Sequence, residues 1–444
     1  MKLHTDSYDS YKKAEGEWSQ TIPSDWEEVR VKDLFKLVTD AAPANNEYEL
    51  LSLFSGIGVK PRKDMEARGN KASSTDGYWI VEKNDIVVNK LLAWMGSVGL
   101  SEYEGVTSPA YDVLRQVKPD IDPRYFAYLF RTETAKKIFR KNSRGIMDMR
   151  LRLYFDKLGA ITVPNPSFET QNSIANYIDL KANQIDKKIS LLKKKVEIID
   201  KLILTTIYQA VTRGLNDEVE LKDSDMLWND KTPKHWRTAR VKELGELVLG
   251  KMLDNKPGEG KALKPYLKSK NIGWLNITNS NIEEMYFTNH EQKSYRIKKG
   301  DLLLSEGGEV GKTSYWESED KECYIQNSVH KLTLSKKNDS RFFLYQFYAA
   351  GKVKYFDAIV SFVSIKHLTK EKLSRIVFSQ PELEEQIEIS SYLDERTEEL
   401  SAIKRKVEKH IEKLRELRIA IINDAITGKF KVSKIGNEIG GKHE

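Results

Sequence analysis

The stretch with the most suggestive chemistry is Phe54-Ser55-Gly56-Ile57-Gly58, which closes an apolar run beginning at Tyr48. A strand running into a glycine turn can hold a nucleotide-like cofactor when a helix N-terminus follows to face its charge. Here Lys60-Pro61-Arg62 stands where that helix should start. A second string, Asn165-Pro166-Ser167-Phe168, offers a side-chain amide and a proline carbonyl for an amino group, and an aromatic ring to stack on a flipped base. Its place argues otherwise: a long helical pattern follows, so Pro166 reads as a helix-starting proline with Ser167 and Glu169 in the first turn. Gly311-Lys312-Thr313 ends like a phosphate loop, but Gly307 precedes Gly311 by four residues where five are needed, and Ser314-Tyr315-Trp316 is no helix. A tight hairpin fits better. The seven histidines lack metal spacing, and the single cysteine, Cys323, permits neither an intrachain disulfide nor a cysteine-based metal site.

The first two strings resemble motifs of DNA cytosine and DNA adenine methyltransferases, respectively. Cytosine methylation needs a thiolate that adds to the ring before methyl transfer. Cys323, in Lys321-Glu322-Cys323-Tyr324, lacks the Pro-Cys context of that family. Neither string makes the chain an enzyme. Its 444 residues suffice for two or three domains, and the net charge of +7 is compatible with nucleic acid without requiring it. The N-terminus lacks a signal-peptide pattern and no run approaches a membrane span, so a cytoplasmic protein is expected.

What organises the chain is a repeat. Pro23, Trp26 and Arg30-Val31-Lys32 recur as Pro233, Trp236 and Arg240-Val241-Lys242, 210 residues on. "YWIVEKNDIVVNK" from Tyr78 parallels "YRIKKGDLLLSEG" from Tyr295, and Gly96-Ser97-Val98-Gly99 parallels Gly308-Glu309-Val310-Gly311. Leu153 to Asp179 parallels Leu368 to Asp394, and Ala210-Val211-Thr212 parallels Ala425-Ile426-Thr427. Residues 1–21 and 429–444 fall outside this alignment. Each half is a mixed, turn-rich globular part followed by one long helix. Short apolar runs (Trp79-Ile80-Val81, Asp85 to Val88, Asp301 to Leu304) read as strands, and "PRYFAYLFRTETAKKIFRK" reads as helix. Without regular βαβ alternation the expected class is α/β in the broad sense, more closely α+β.

Ile178, Ala182, Ile185, Ile189, Leu192, Val196, Ile199 and Ile203 step by four and three, a heptad seam. Leu393, Thr397, Leu400, Val407, Ile411 and Leu414 continue the same register in the second half, broken by Lys404. A helix of this length reaches about 70 Å. Packed against each other, antiparallel, the two would form a spacer between two globular heads. A coiled-coil dimerisation stalk is the plainer reading of heptads alone.

The chain resembles specificity subunits of Type I restriction–modification systems. The resemblance rests on the repeat, on the helix starts Pro166-Ser167-Phe168-Glu169-Thr170-Gln171 and Pro381-Glu382-Leu383-Glu384-Glu385-Gln386, and on "WMGSVGLSEYEGVTSPAYDVLR" from Trp94 and "RGIMDMRLRLYFDKL" from Arg144. It implies two target-recognition domains, each reading one half of a split, asymmetric double-stranded DNA target, separated by two long antiparallel coiled-coil helices related by a pseudo-twofold internal repeat. It implies no catalysis and no cofactor for this chain. Two copies of an N6-adenine methyltransferase subunit would flank it and bind S-adenosylmethionine, and restriction subunits would join. The corresponding boundaries are an arm at 1–21, recognition domains at 22–166 and 232–381, spacer helices at 167–215 and 382–428, a linker at 216–231 and a tail at 429–444.

Phosphate contacts fall to Lys and Arg, and base contacts to a few polar side chains. In the first head the candidates are Lys60, Arg62 and Lys63 after the glycines, Lys90 before the Trp94 turn, and Arg144, Arg150 and Arg152. In the second they are Lys268, Lys270, Lys312, Ser364, Lys366 and His367. Trp94 and Tyr111 are expected in the core. The C-terminal helix is expected to return to the first head. Two other readings stay open: a coiled-coil interaction scaffold without DNA recognition, and a stand-alone DNA methyltransferase.

Overall fold

The computed structural model describes residues 7–54, 58–64, 74–147, 150–278, 281–360 and 367–432. The chain divides into two compact units, one of residues 1–192 and 409–444, the other of residues 193–408. Two long helices, Phe168–Arg213 and Leu383–Ile426, contribute to both.

In unit 1 the core is a four-stranded antiparallel sheet in the order Phe35–Leu37, Tyr111–Gln116, Ile86–Asn89, Val98–Leu100. Ile86-Val87-Val88 and Val113-Leu114 are buried, as short uninterrupted apolar runs predict. A separate pair joins Glu27–Arg30 to Thr162–Asn165. The single helix expected from Pro123 onward is two, Pro123–Leu129 and Glu133–Asn142. The break is chemical: the Thr132 hydroxyl accepts from the Ala135 amide at 3.1 Å and so starts a new helix.

Unit 2 repeats this frame. Its sheet orders Gly245–Leu249, Val329–Leu334, Leu302–Ser305 and Thr313–Tyr315, and Arg237–Arg240 pairs with Val377–Gln380. Here too there are two helices, Ser340–Lys352 and Tyr355–Ile359, but the break comes later. Unit 2 adds a sheet of Glu283–Thr288, Lys261–Leu267 and Tyr324–Ile325, where unit 1 has the hairpin Leu51–Phe54/Gly58–Pro61 and the pair Trp79–Val81/Gly105–Thr107. Among the described strand pairs only Tyr324–Ile325 with Tyr266-Leu267 is parallel, which makes the class α+β.

Two details of the repeat are corrected. Residues before 22 belong to it: the strand pair Tyr11–Lys13/Thr21–Pro23 recurs as Leu221–Asp223/Lys231–Pro233. Between them Trp18 donates to the Thr162 carbonyl at 2.6 Å, as Trp228 does to that of Val377 at 3.4 Å. The pairing is carried by backbone, so little of it survives as side-chain identity. Second, the ladders match Gly96 with Gly311, not with Gly308. Both turn with positive φ, +84° and +77°, a conformation that glycine adopts without steric cost.

In unit 1 the helical seam buries Ile178, Ile185 and Ile189 with Ile411 and Leu414, Leu192 being half-buried. In unit 2 it buries Ile199, Leu393, Leu400 and Val407, with Val196 half-buried. Leu191 and Ile198, off the seam, are 66% and 64% exposed. Within each unit the segments run antiparallel: Asp186 meets Arg418 at 3.2 Å while Tyr177 meets Phe430, and Asp200 meets Lys404 at 2.6 Å while Gly214 lies against Glu385. The polar Lys404 thus interrupts the apolar seam and is paired across it. The second helix ends on the first head, as expected: Gly428 lies against Pro23 and Trp26, and its carbonyl accepts from the Tyr11 hydroxyl at 3.1 Å.

Candidate nucleic-acid interface

Each head is fixed to the start of a long helix by the same side chains. Gln171, fully buried, donates to the Pro166 carbonyl at 2.8 Å and accepts from the Asp122 amide at 2.8 Å. Gln386, also fully buried, donates to the Pro381 carbonyl at 2.8 Å and accepts from the Asp339 amide at 2.8 Å. Asp122 and Asp339 in turn cap the head helices through the amides of Arg124 and Phe342. One glutamine therefore ties the first turn of the long helix to the N-cap of the head helix, with a buried amide left unpaired if it is lost. About two turns further on, Asp179 accepts from Tyr128 and from Arg124 at 3.0 Å; Asp394 accepts from Tyr345 at 2.7 Å and from Arg341 at 3.3 Å. Burial pushes the pKa of both tyrosines well up, so they remain donors.

On this frame Arg62, Lys90 and the ends of the 144–152 segment of unit 1 lie at one end of the central strand pair, where Asn89 faces Tyr111. Lys60 lies on the strand Gly58–Pro61, bonded to the Tyr103 hydroxyl at 3.2 Å and 3.5 Å from Glu102. Arg62 and Lys63 follow in a short 3-10 turn, Lys63 paired with Glu49 and Arg62 close enough to Tyr111 to act on it electrostatically. The Leu153 amide donates to the Lys90 carbonyl at 2.9 Å, which roots the 144–152 loop at the same strand end. Arg144 and Arg152 close that loop through reciprocal backbone bonds of 2.9 Å; Arg144 also meets Asp156 at 3.0 Å, and Arg150 is exposed. Lys90 itself is turned inward. Its ammonium sits 3.2 Å from the buried Asp112 and 2.7 Å from the Pro109 carbonyl.

Unit 2 uses the corresponding place, where Ser305 faces Val329. The Leu368 amide donates to the Glu306 carbonyl at 2.8 Å, and Ser269 is bonded to Ser328 at 2.6 and 3.0 Å. Lys268 and Lys270 flank Ser269 and share Glu283, which they and the Tyr266 hydroxyl pull down to about 2. Lys312 bonds Glu309 at 2.7 Å, and His367 bridges to Gly307. Ser364 and Lys366 lie outside the described residues. Trp94 and Tyr111 are half-buried: the Trp94 indole donates to the Leu91 carbonyl, and Tyr111 packs on the core below it.

The model of the Type I restriction modification DNA specificity domain matches the chain twice, over residues 23–201 and 233–413. The chain belongs to that family. It is 24% identical over 427 residues to the Type I restriction enzyme MjaVIII specificity subunit of Methanocaldococcus jannaschii, covering 93% of this chain and 95% of that protein. A putative Type I restriction enzyme MjaX specificity subunit of the same organism is 23% identical over 441 residues, with the same coverage. In fold it is similar to a chain from a structural study of complex assembly and conformational transition of the type I R-M system, with a TM-score of 0.71 at 17% identity, covering 92% of this chain and 99% of that one. It is also similar to the HsdS subunit from Thermoanaerobacter tengcongensis, with a TM-score of 0.55 at 16% identity, covering 92% and 98%.

The protein is thus a DNA-target-recognition specificity subunit, and its enzyme-like strings have other roles. Ser55, Gly56 and Ile57 lie outside the described residues; Phe54 pairs with Gly58, and Gly58–Pro61 is a strand where such a cofactor turn needs a helix. Asn165 ends a strand opposite Glu27, and Phe168 begins the long helix, 46% exposed. Thr313 pairs with Leu304 in the expected hairpin. Cys323 is buried, and burial pushes its thiol up to about 11. Among the described residues no three His, Cys, Asp or Glu side chains group to hold a metal, and no helix is long and apolar enough to cross a membrane.

Sequence reasoning on the specificity subunit missed two features. Within the segment closed by Arg144 and Arg152, Ile146 is 98% and Met147 54% exposed, close in sequence to Arg144 and Arg150. In unit 2 Lys293, Arg296 and Lys298 line a cavity of about 590 Å³ with Asn289 and Gln292. The basic string was visible, but only the helix Asn289–Tyr295 brings Asn289, Gln292 and Lys293 to one cavity.

Proposed function

We propose that each unit reads one half of a bipartite, asymmetric DNA sequence, and that the chain directs partner N6-adenine methyltransferase and restriction subunits to it. Catalysis then belongs to the partners, which bind S-adenosylmethionine, while this cytoplasmic chain binds no cofactor. The recognition domains are taken as 22–166 and 232–381, with 167–215 and 382–428 as spacers. What supports the reading is that both units gather basic side chains at the same end of the same strand pair, on the same helix-locked frame, yet surround it with different structure. Equal frames call for equal docking; unequal surroundings call for unequal half-sites.

Arg62, Lys63, Arg144, Arg150 and Arg152 in unit 1, and Lys268, Lys270, Lys312, Ser364, Lys366 and His367 in unit 2, are assigned to phosphates and base edges. Lys60 sits at the margin, and Lys90 acts by supporting the loop. Ile146, an exposed apolar side chain among arginines, has the character of a side chain that wedges at a base step. The experiment is to co-express the chain with its methyltransferase subunit and map methylated adenines genome-wide. A two-part, asymmetric motif that needs both proteins supports the reading; a stable complex without new methylation favours a scaffold.

A further inference from the structure

Unit 1 holds a groove of about 860 Å³ between the glycine turn at Met95 and Gly96, the helix break at Tyr128 to Lys136, and the last turns of the second long helix. Three of its cations are paired: Lys136 with Glu133 at 2.6 Å, Lys429 with Asp424 at 2.6 Å, and Arg418 with Asp186 at 3.2 Å. The fourth is not. Arg131 is half-buried, and among the described residues no group accepts a hydrogen bond from its guanidinium. Burial and the neighbouring Arg418 both push it down from its ordinary value. Arginine stays charged regardless, so a half-buried guanidinium beside a second one lacks an anion. The groove is not purely polar either: Met95 and Ile419 in its lining are 54% and 56% exposed.

The repeat supplies a control. Three residues beyond the clamping tyrosine, unit 2 has Tyr348 where unit 1 has Arg131, and Ile203 stands at the helix position of Arg418. Both pack against the unit 2 core, with Trp274 crossing Tyr348 edge-on at 5.8 Å. Beside the matching glycine, Gly311, lies the buried Phe356; beside Gly96 lies Lys136. One unit fills this place with its own aromatic side chains, and the other leaves it open and cationic.

We propose that the unit 1 groove receives a segment of a partner protein that presents one carboxylate beside apolar side chains, the carboxylate forking onto Arg131. A planar guanidinium matches a carboxylate in bidentate geometry, and the exposed Met95 and Ile419 take the apolar neighbours. A DNA strand fits less well, because a phosphodiester chain needs several unpaired cations, and Glu133, Glu416 and Asp424 also line the groove. Since the counterpart place is filled, the groove engages one partner copy per chain. The proposal rests on the reading that methyltransferase subunits assemble on this chain, and it assigns one of those copies an extra contact.

The test titrates the full chain with its cognate methyltransferase subunit and follows each binding step by native mass spectrometry. Arg131→Glu is expected to weaken one step about tenfold and leave the other unchanged, with a smaller loss for Arg131→Lys. Ile419→Glu, an exposed change on the opposite wall, should affect the same step if folding of Arg131→Glu is in doubt. Both steps unchanged, or both weakened equally, would overturn the proposal. So would a loss of DNA affinity by the Arg131→Glu chain alone, which would give the groove to phosphate. A tenfold gain on deleting Ser433 to Glu444 would overturn it too, by giving the groove to the chain's own tail. A wild-type chain that binds no methyltransferase refutes the functional reading itself.

Discussion

The two units agree where each head meets its long helix and disagree where each faces outward. Gln171 and Gln386 make the same pair of 2.8 Å bonds, and Asp179 and Asp394 take the same tyrosine and arginine. By contrast, unit 2 builds a three-stranded sheet where unit 1 has a hairpin and a strand pair, and it fills with Trp274 and Tyr348 a place that unit 1 leaves open. A joint that sets geometry tolerates little variation, because a buried amide without a partner is costly. A surface that reads sequence is free to differ.

If the two joints are equivalent, Gln171→Ala and Gln386→Ala should each cost about 3 kcal/mol, measured by denaturant unfolding, and should match each other within about 1 kcal/mol. A large inequality would break the comparison. Trp274→Ala should destabilise by about 2 kcal/mol, since it removes the ring that packs on Tyr348 and Gly351, with no equivalent loss available in unit 1. Tyr128→Phe and Tyr345→Phe each remove one hydroxyl bonded to a carboxylate and should cost about 1.5 kcal/mol apiece. The smallest effect on stability, within about 0.5 kcal/mol, is expected for the exposed Arg150→Ala. That variant should instead lower the slope of log affinity against log salt by about one and spare the half-site read by unit 2.

Much of this was legible in the sequence. The heptad seam predicted both long helices because burial on one stripe imposes a fixed spacing: Ile178, Ile185, Leu393 and Leu400 are buried as that spacing requires. The repeat was visible through Trp26 and Trp236, whose size and burial restrict replacement. The hairpin before Ile22 was not, because backbone pairing leaves side chains free to change. The glycine register was misaligned by three residues, since Gly308 and Gly311 both have positive φ and only the ladder distinguishes them. Lys90 looked like its basic neighbours, but its buried partner Asp112 is 22 residues away in sequence and adjacent only across the sheet. The clamps escaped notice for the same reason, as each joins residues about 50 positions apart.

The central claim is that two heads read two half-sites at a distance fixed by the helices. The most direct measurement removes one heptad from each long helix at matched places and maps the methylated motif of the resulting complex. Seven residues shorten a helix by about 10 Å, or about three base pairs of DNA. The account predicts unchanged half-sites with a gap shortened by about that amount. An unchanged gap would contradict it.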